Sequence, residues 1–258
     1  MAGQRGPSDT TVGASAAGGT AGQDEKELRE LVATAGAVLY RQGLTDYLGH
    51  CSARVPGTDR VIIKPKHSKT VRSPAELGPD DMIVIDLDGN LIEGSDAPPS
   101  ECFIHTEIYR ARPDVQSVVH THQRAATLLG IIGGDLLPVL HVPAVLTDGG
   151  TMPTWSCPML VTRPELGREL AAALGSAGLC HLQGHGIVSV ARDIRRAAVT
   201  AVALEQLAEA NLTILQTGRS PRVITTEELD QLRTAVASVD GRWAYYVQLL
   251  GEQPARIA

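Results

Sequence analysis

Residues 118–122, Val-Val-His-Thr-His, place two imidazoles at the end of an apolar segment. The two β-branched residues that open this segment are typical of a buried strand. Side chains alternate between the two faces of a strand, so His120 and His122 project from the same face. Two imidazoles with room for an ion between them supply two ligands of an open metal site. This strand is therefore predicted to lie at the centre of the fold and of a candidate metal site.

A third imidazole that suits the same site is His185, in the sequence Gln-Gly-His-Gly at residues 183–186. Glycines flank it and the apolar residues 187–190 follow, which indicates a turn that presents His185 at a strand end. We predict that His120, His122 and His185 bind one divalent ion and leave a position open for chemistry. Zn²⁺ is the first choice, and Mn²⁺, Fe²⁺ or Co²⁺ suit the same donors. The alternative is three unrelated buried histidines, each bonded to backbone groups.

The composition limits the class of protein. The chain has 258 residues, of which 43% are hydrophobic but only 3% aromatic, so its core must be aliphatic. The length suits one domain over residues 25–258. The net charge of −6 and the lack of a long basic run predict that nucleic acid is not a partner.

The N-terminus and the cysteines indicate the cellular setting. Residues 1–24 are rich in Gly, Ala, Ser and Thr and are predicted to be a disordered tail. They contain no apolar segment of signal length, and no run in the chain approaches a membrane span, so no membrane partner is expected. The cysteines form no Cys-x-x-Cys pair, which favours reduced thiols and a cytoplasmic location. They are Cys51, Cys102, Cys157 and Cys180.

The order of the predicted elements indicates a mixed α/β fold. Strands are predicted at residues 51–55, 60–64, 82–87, 118–122, 179–182 and 187–190. Helices are predicted at residues 28–39, 100–112, 123–129, 163–174, 193–216 and 225–250. Early hairpin strands, followed by strands that alternate with helices, favour a mixed sheet with helices on both faces. No Gly-x-Gly-x-x-Gly follows a strand, which argues against a dinucleotide site.

Glu101 is the candidate carboxylate of the site. Ser100 is predicted to cap the helix that Pro113 ends, and this puts Glu101 in the first turn, where the helix dipole favours a negative charge. That structural role is compatible with a place in the metal site. His105 lies four residues later on the same helical face. It is predicted to be structural, with contact to Glu101 or metal ligation as the alternatives.

Three segments, Pro99-Ser100-Glu101, His120-Thr121-His122 and Gly184-His185-Gly186, resemble the class II aldolase/adducin family in their order and spacing. The resemblance covers about residues 27–250. It implies one three-layer α/β/α domain around a mixed, largely antiparallel sheet, and a homotetramer with active sites at subunit interfaces. It also implies that the three histidines match the family's metal ligands. Glu101 matches the family's acid/base carboxylate, which can also reach the metal.

The chain departs from the sugar-phosphate aldolases of this family where those enzymes bind phosphate. His50 stands at an asparagine position, Lys66 and His67 stand at a threonine–glycine pair, and Pro99 replaces the first of two serines. We predict that the substrate-binding residues are His50, Ser52, Lys66, His67 and Ser100. Cationic groups suit a planar carboxylate or an acidic phenol better than a phosphate held by backbone amides. The alternative is a solvated basic loop.

A second departure removes a proton donor. In the family's aldolases a tyrosine follows the histidine that matches His141, whereas this chain has Val142. Tyr245 or Tyr246 could supply a phenol instead, although packing within the last helix is the preferred interpretation. His141 is predicted to lie at an interface or at the pocket edge, and His181 is predicted to pack within its strand.

These features, with the family resemblance, favour a metal-dependent lyase that decarboxylates a dihydroxylated, catechol-type aromatic acid such as a dihydroxyphthalate. The catechol oxygens would chelate the ion, and Glu101 would move the proton. One alternative is a class II aldolase or epimerase acting on a small hydroxy-carbonyl compound or a sugar phosphate. Two others are an oxygenase with ferrous iron at the same histidines and a non-catalytic, adducin-like interaction module without the metal.

Overall fold

Strand β5 (Ser117–Thr121) lies inside the sheet, and all of its residues are buried. The structure, a computed structural model, describes residues 24–66, 72–236 and 238–251. The predicted disorder of the N-terminal tail falls outside the described residues, apart from Asp24. The Asp24 side chain accepts a hydrogen bond from the Lys26 N–H and caps the first helix.

The described residues form eight strands and eight α-helices. In chain order the strands are β1 (His50–Arg54), β2 (Val61–Ile63), β3 (Ile83–Ile85), β4 (Leu91–Glu93), β5 (Ser117–Thr121), β6 (Thr154–Trp155), β7 (Leu179–Leu182) and β8 (Gly186–Ala191). The α-helices are α1 (Glu25–Arg41), α2 (Phe103–Ala111), α3 (Arg124–Ile131), α4 (His141–Leu146), α5 (Pro164–Leu174), α6 (Ile194–Gln216), α7 (Thr226–Val236) and α8 (Val239–Gln248).

The strands form one sheet in the order β4-β3-β2-β1-β5-β8-β7-β6. Neighbouring strands run antiparallel, except that β6 and β7 run parallel. The predicted mixed, largely antiparallel sheet is therefore confirmed. Strand β5 pairs with β1 on one side and with β8 on the other, and these two pairings determine where the candidate site residues lie.

Helices cover both faces of the sheet and form two aliphatic cores. Along β5, Val119 faces the core that includes α1, α3 and α6, whereas Val118 faces the core that includes α2 and α5. Both valines are fully buried, and burial of such a side chain stabilises the fold by roughly 1.5–3 kcal/mol. The fold is the predicted three-layer α/β/α arrangement, and aliphatic side chains dominate its cores, as the composition requires.

Helix α6 corrects the prediction that no segment approaches a membrane span. By length and composition alone, this helix is apolar enough to cross a membrane. However, 56% of its most apolar window is buried inside the fold, where it packs against β5, β8 and α3. Asp193 caps it by accepting a hydrogen bond from the Arg196 N–H at 2.9 Å, as the sequence predicts. Its apolar character is that of a core helix.

The structure also corrects the ends of two predicted helices. The helix predicted over residues 225–250 is two helices, because Ser238 is extended and its side chain caps α8 by accepting from the Gly241 N–H. The helix predicted to begin at Ser100 begins at Phe103 instead. The prediction lacks α4, β4 and β6, since elements of two to six residues carry too little periodicity to be recognised.

Candidate active site

Strand pairing brings the candidate histidines together at one end of β5. His120 pairs with His50 on β1 and with Val188 on β8. His122 lies just beyond the end of β5. The turn between β7 and β8 presents His185 next to it, and the two rings lie 5.1 Å apart between centroids. The central strand and its two neighbours therefore supply all of these imidazoles.

Both glycines around His185 are required by the backbone, for different reasons. Gly184 has a φ of 67°, which favours glycine over any residue with a side chain. A Cβ on Gly186 would lie 2.2 Å from the carbonyl oxygen of Thr121 and 3.1 Å from the ring of His122. Glycine at this position therefore allows the start of β8 to approach the end of β5.

The nitrogen atoms of the three predicted ligands converge. One ring nitrogen from each of His120, His122 and His185 lies within 4.8 Å of the other two. The Nε2 atoms of His120 and His122 are 3.1 Å apart. Two nitrogens bound to one tetrahedral zinc lie roughly 3.3 Å apart, because each Zn–N bond is about 2.0–2.1 Å long. The spacing of this histidine pair fits a shared metal ion.

The protonation of these rings also fits a metal ion. The Nδ1–H of His120 donates to the carbonyl oxygen of Ile187 at 3.0 Å, so its Nε2 carries a lone pair. Burial holds the pKa of His120 well below its ordinary value, and the neighbouring His122 and His185 lower it further. Burial also lowers the pKa of His122. Neutral imidazole is the form that binds metals, so no proton has to be removed from His120 or His122 first at neutral pH.

Glu101 lies beside the histidines, in a turn before α2 rather than in the predicted first turn. Its Oε2 is 3.5 Å from Nε2 of His185, and its Oε1 accepts a hydrogen bond from the Val161 N–H at 2.8 Å. Burial alone would raise the pKa of Glu101, but the neighbouring His185 and the Val161 N–H outweigh burial and lower it. Glu101 is therefore a carboxylate at neutral pH.

A cavity of about 600 Å³ opens onto this cluster. Its polar lining includes Glu101, His122, His185, His50, Lys64 and Lys66. A wider groove of about 1010 Å³ lies elsewhere and is lined by Arg192 and Arg233 but by none of the candidate ligands. We assign the chemistry to the smaller cavity, because ligand sites combine apolar walls with a few convergent polar groups.

The predicted substrate-binding residues divide into three groups. His50, Lys66 and Ser100 line the cavity, and the Lys66 ammonium donates to the Ser100 hydroxyl at 2.8 Å. The structure places Ser52 elsewhere: its side chain is fully buried beneath α2 and does not line the cavity. His67 lies outside the described residues. The prediction for Ser52 is wrong about direct contact, because α2 covers the part of β1 that carries it.

Lys64 is a cavity residue that the sequence prediction missed. Its side chain is only 5% exposed, and its ammonium donates to the carbonyl oxygen of Tyr47 at 2.6 Å. Burial lowers its pKa to about 8. The signal in the sequence is a lysine directly after the buried run Val-Ile-Ile at residues 61–63, since a cation in that position is rarely buried without a role.

His105 does not contact Glu101. Helical spacing would bring the two together only if both were in the helix, and Glu101 lies in the preceding turn. Instead, Nε2 of His105 lies 2.6 Å from Nδ1 of His50, and its Nδ1 lies 2.6 Å from Oγ of Ser52. Tyr109, which the sequence prediction also missed, contacts the same Ser52 hydroxyl at 2.7 Å.

The remaining candidates lie away from the cavity. His141 is exposed at the start of α4, and His181 is buried against Gly130, where a Cβ would lie 2.2 Å from its ring. Tyr246 packs in the core next to α6, whereas Tyr245 is 56% exposed. Neither tyrosine lines the cavity in this chain.

Comparison with known proteins identifies the family. Residues 30–212 match the family model "Class II Aldolase and Adducin N-terminal domain". The chain is 28% identical to 3,4-dihydroxyphthalate decarboxylase from Arthrobacter keyseri, over 86% of this chain and 92% of that protein. It is 32% identical to the 5-methylthioribulose-1-phosphate/5-deoxyribulose-1-phosphate aldolase from Rhodospirillum rubrum, over 67% and 75% of the two chains.

The solved structures agree on the fold. An aldolase II superfamily protein from Pseudomonas syringae superposes with a TM-score of 0.74 at 22% identity, covering 88% of this chain and 92% of that chain. The recognised segments, the sheet topology and the matched family model now point to one conclusion. The chain belongs to the class II aldolase/adducin family.

Proposed function

We propose that this protein is a metal-dependent lyase that removes CO₂ from a dihydroxylated, catechol-type aromatic acid such as a dihydroxyphthalate. One observation carries the proposal: a single cavity is lined by Lys64 and Lys66 together with Glu101, His122 and His185. An aromatic acid needs cationic partners for its carboxylates, since burying an unpaired carboxylate is costly. The similarity to 3,4-dihydroxyphthalate decarboxylase supports this substrate class.

Class II aldolases are lyases that bind a divalent metal, typically Zn²⁺. We propose His120, His122 and His185 as the ligands, with Glu101 close enough to join them. Zn²⁺ is preferred, and Mn²⁺, Fe²⁺ or Co²⁺ suit the same donors. When bound, the ion supplies Lewis acidity that stabilises negative charge on a substrate oxygen. Orientation and proton transfer are left to the side chains.

Proton transfer is assigned to Glu101. As a carboxylate at neutral pH it can accept a proton from a catechol hydroxyl. Glu101 then gives this proton to the ring carbon that bears the carboxylate, which converts the ring to a dienone. When the bond from that carbon to the carboxylate breaks, CO₂ leaves, and the electron pair restores the aromatic ring and returns negative charge to the catechol oxygen, which solvent reprotonates. The N–H of Val161 holds the carboxylate in place through these steps.

The walls of the cavity are proposed to orient the substrate. The polar residues assigned to this role are His50, Lys64, Lys66, Ser100 and, from the sequence alone, His67. The contact between Lys66 and Ser100 presents two adjacent donors to a carboxylate or a ring hydroxyl. Leu48 and Leu160 add apolar surface for the ring. A volume of about 600 Å³ lies within the usual range of small-molecule sites.

A sugar-phosphate aldolase is the second candidate, because the relative from Rhodospirillum rubrum carries that activity in its name and is 32% identical. Lysines also bind phosphate, so Lys64 and Lys66 do not exclude it. The difference lies in Val142, where the family's aldolases have a tyrosine that donates a proton. Val142 is partly buried against the core and cannot donate. We therefore rank decarboxylation first.

We also propose a homotetramer with active sites at subunit interfaces, as the family resemblance implies. Ile131 and Ile132, at the end of α3, are 48% and 61% exposed and supply apolar surface for such contacts. Light scattering of the purified protein tests the subunit number independently of activity. A monomer at micromolar concentration would contradict the tetramer and leave the chemical proposal standing.

A product assay separates the two chemical candidates. The protein is supplied with Zn²⁺, Mn²⁺, Fe²⁺ or Co²⁺ and incubated with dihydroxyphthalates, dihydroxybenzoates and sugar phosphates. We expect CO₂ release from at least one dihydroxylated aromatic acid and little cleavage of sugar phosphates. Efficient cleavage of a sugar phosphate, with no aromatic acid turned over, would reverse the ranking.

A further inference from the structure

A buried chain of hydrogen bonds leads from the cavity into the core. His50 Nδ1 contacts His105 Nε2 at 2.6 Å, His105 Nδ1 contacts Ser52 Oγ at 2.6 Å, and Ser52 Oγ contacts the Tyr109 hydroxyl at 2.7 Å. Ser52, His105 and Tyr109 are at most 1% exposed, whereas His50 lines the cavity. These hydrogen bonds form because His50 and Ser52, two residues apart on β1, face His105 and Tyr109, four residues apart on α2.

The direction of this chain follows from counting protons. The Tyr109 phenol has one proton, and among the described residues the side-chain atom within hydrogen-bond distance of it is Ser52 Oγ, at 2.7 Å. Tyr109 therefore donates to Ser52, because the opposite direction would leave a buried O–H without an acceptor.

The donor and the acceptor of each remaining hydrogen bond follow from this direction, because each neutral group has one proton to donate. The Ser52 hydroxyl donates to Nδ1 of His105, so the proton of the neutral His105 ring is on Nε2 and is donated to Nδ1 of His50. The proton of His50 is consequently on its own Nε2. Burial supports the neutral form of His105 and of Tyr109, because it lowers the pKa of His105 to about 3 and raises the pKa of Tyr109.

The direction of the hydrogen bonds matters because the distances alone allow two sets of metal ligands. Ligand atoms of His50, Glu101 and His120 also lie within 4.8 Å of one another, as do those of His120, His122 and His185. A nitrogen that carries a proton cannot bind a metal, so the direction of the hydrogen bonds decides between the two sets. His50 is left as a neutral donor at the edge of the cavity.

We propose that Tyr109, Ser52 and His105 are positioning residues that fix His50 as an Nε2–H donor, which keeps it out of the metal ligand set and directs it to an anionic oxygen of the substrate. The identity of that oxygen, a carboxylate or a catechol oxygen, rests on the proposed function. The protonation state of His50 does not depend on that function.

Nuclear magnetic resonance of the zinc-loaded full chain with ¹⁵N-labelled histidine tests the proposal. The ring signals of His50 are identified by their loss in His50→Gln. We expect the wild-type ring to carry its proton on Nε2 alone. In Tyr109→Phe, Ser52 is free to accept instead of donate, so we expect a mixture of the two tautomers. A wild-type His50 with its proton on Nδ1 would overturn the proposal.

Matched variants separate positioning from general damage. Ser52→Ala should also mix the tautomers, and Ser52→Thr should restore the single form because it keeps the hydroxyl. Tyr246→Phe makes the same change as Tyr109→Phe in the other core and should leave the His50 signals unchanged. If Tyr109→Phe does not fold, Ser52→Ala and Ser52→Thr still test the proposal. An unchanged His50 tautomer in a folded Ser52→Ala variant would contradict the proposal.

Binding measurements connect the tautomer to the substrate. Tyr109→Phe should retain one zinc per chain and raise the KM for the aromatic acid by roughly two- to tenfold, with kcat nearly unchanged, because binding shared by ground and transition states is lost. If no aromatic acid is turned over at all, the proposed function fails, while the tautomer result stands separately. A folded Tyr109→Phe variant with mixed tautomers but an unchanged KM would contradict the substrate contact of His50.

Discussion

The two faces of strand β1 contact cores of different kinds. On one face, Cys51 and Ala53 join the aliphatic core that contains α1 and α6. On the other face, His50 and Ser52 meet polar side chains of α2 instead of apolar ones. The first face stabilises the fold through apolar burial. The second face buries less apolar surface, and its polar groups instead form hydrogen bonds with one another that extend to the cavity. Substitutions on the two faces should therefore separate stability from function.

The largest expected effect comes from removing a proposed ligand just beyond the end of β5. His122→Ala should lose most of the bound metal and reduce activity to that of metal-free protein, because two imidazoles hold an ion poorly in an open site. Val119→Ala, on the opposite face, should keep the metal while unfolding more easily by roughly 1–3 kcal/mol. Elemental analysis and denaturant unfolding measure the two quantities. Full metal content in His122→Ala would contradict the assignment of metal binding to this face of the sheet.

The next effect separates proton transfer from metal binding. Glu101→Gln should retain the ion and lose on the order of 10²–10⁴ in turnover, because an amide cannot exchange the proton. Glu165→Gln is the matched control, since Glu165 is an exposed first-turn residue of α5. Loss of metal in Glu101→Gln would make Glu101 chiefly a ligand. Unchanged turnover with metal retained would refute its role as acid and base.

A pH dependence is expected from Lys64. Its pKa of about 8 means that it is charged below this pH and neutral above it, so the KM for an aromatic acid should rise as the pH passes 8. In Lys64→Met the KM should be high and constant across the same range. The free energy of unfolding should increase over part of the same pH range, although substrate binding weakens. Between pH 8 and the ordinary lysine pKa near 10.5 the unfolded chain binds more protons, so the folded state gains stability as the pH rises. A wild-type KM that stays constant from pH 7 to 9 would exclude Lys64 from substrate binding.

The smallest effect should come from a substitution at the start of α6, in the aliphatic core that contains α1 and α6. Asp193→Ala removes the cap of α6 and should lower the free energy of unfolding by about 1 kcal/mol. The metal content and KM should not change, because α6 packs against the face of the sheet opposite the polar chain. Thermal unfolding and steady-state kinetics on the same preparation make the comparison. A change in KM would mean that the two faces are coupled.

The sequence predicts most of the fold because its local patterns are strong. The alternation around His120 and the helical spacing after Asp193 identify a buried strand and a long capped helix, and the structure contains both. The convergence of His120, His122 and His185 follows from strand alternation and a glycine turn, once the family order of the strands is assumed.

The polar interior of the α2 face could not be predicted in the same way. The contact of His105 with His50 depends on where α2 begins and on how it crosses β1, and neither is encoded in local spacing. The same crossing buries Ser52, which strand alternation alone places with the cavity residues. The position of Lys64 directly after a buried strand is a signal in the sequence, but only the packed structure shows that its ammonium is buried and donates to the carbonyl oxygen of Tyr47. Such contacts are long-range, and only the packed structure defines them.

The central claim is that the three histidines hold the ion on which decarboxylation depends. The most direct measurement is CO₂ release from a dihydroxyphthalate by metal-stripped protein as Zn²⁺ is added back in known amounts. We predict no release without the ion and a rise that reaches its plateau at one Zn²⁺ per chain. Full CO₂ release by protein with almost no metal would contradict the claim.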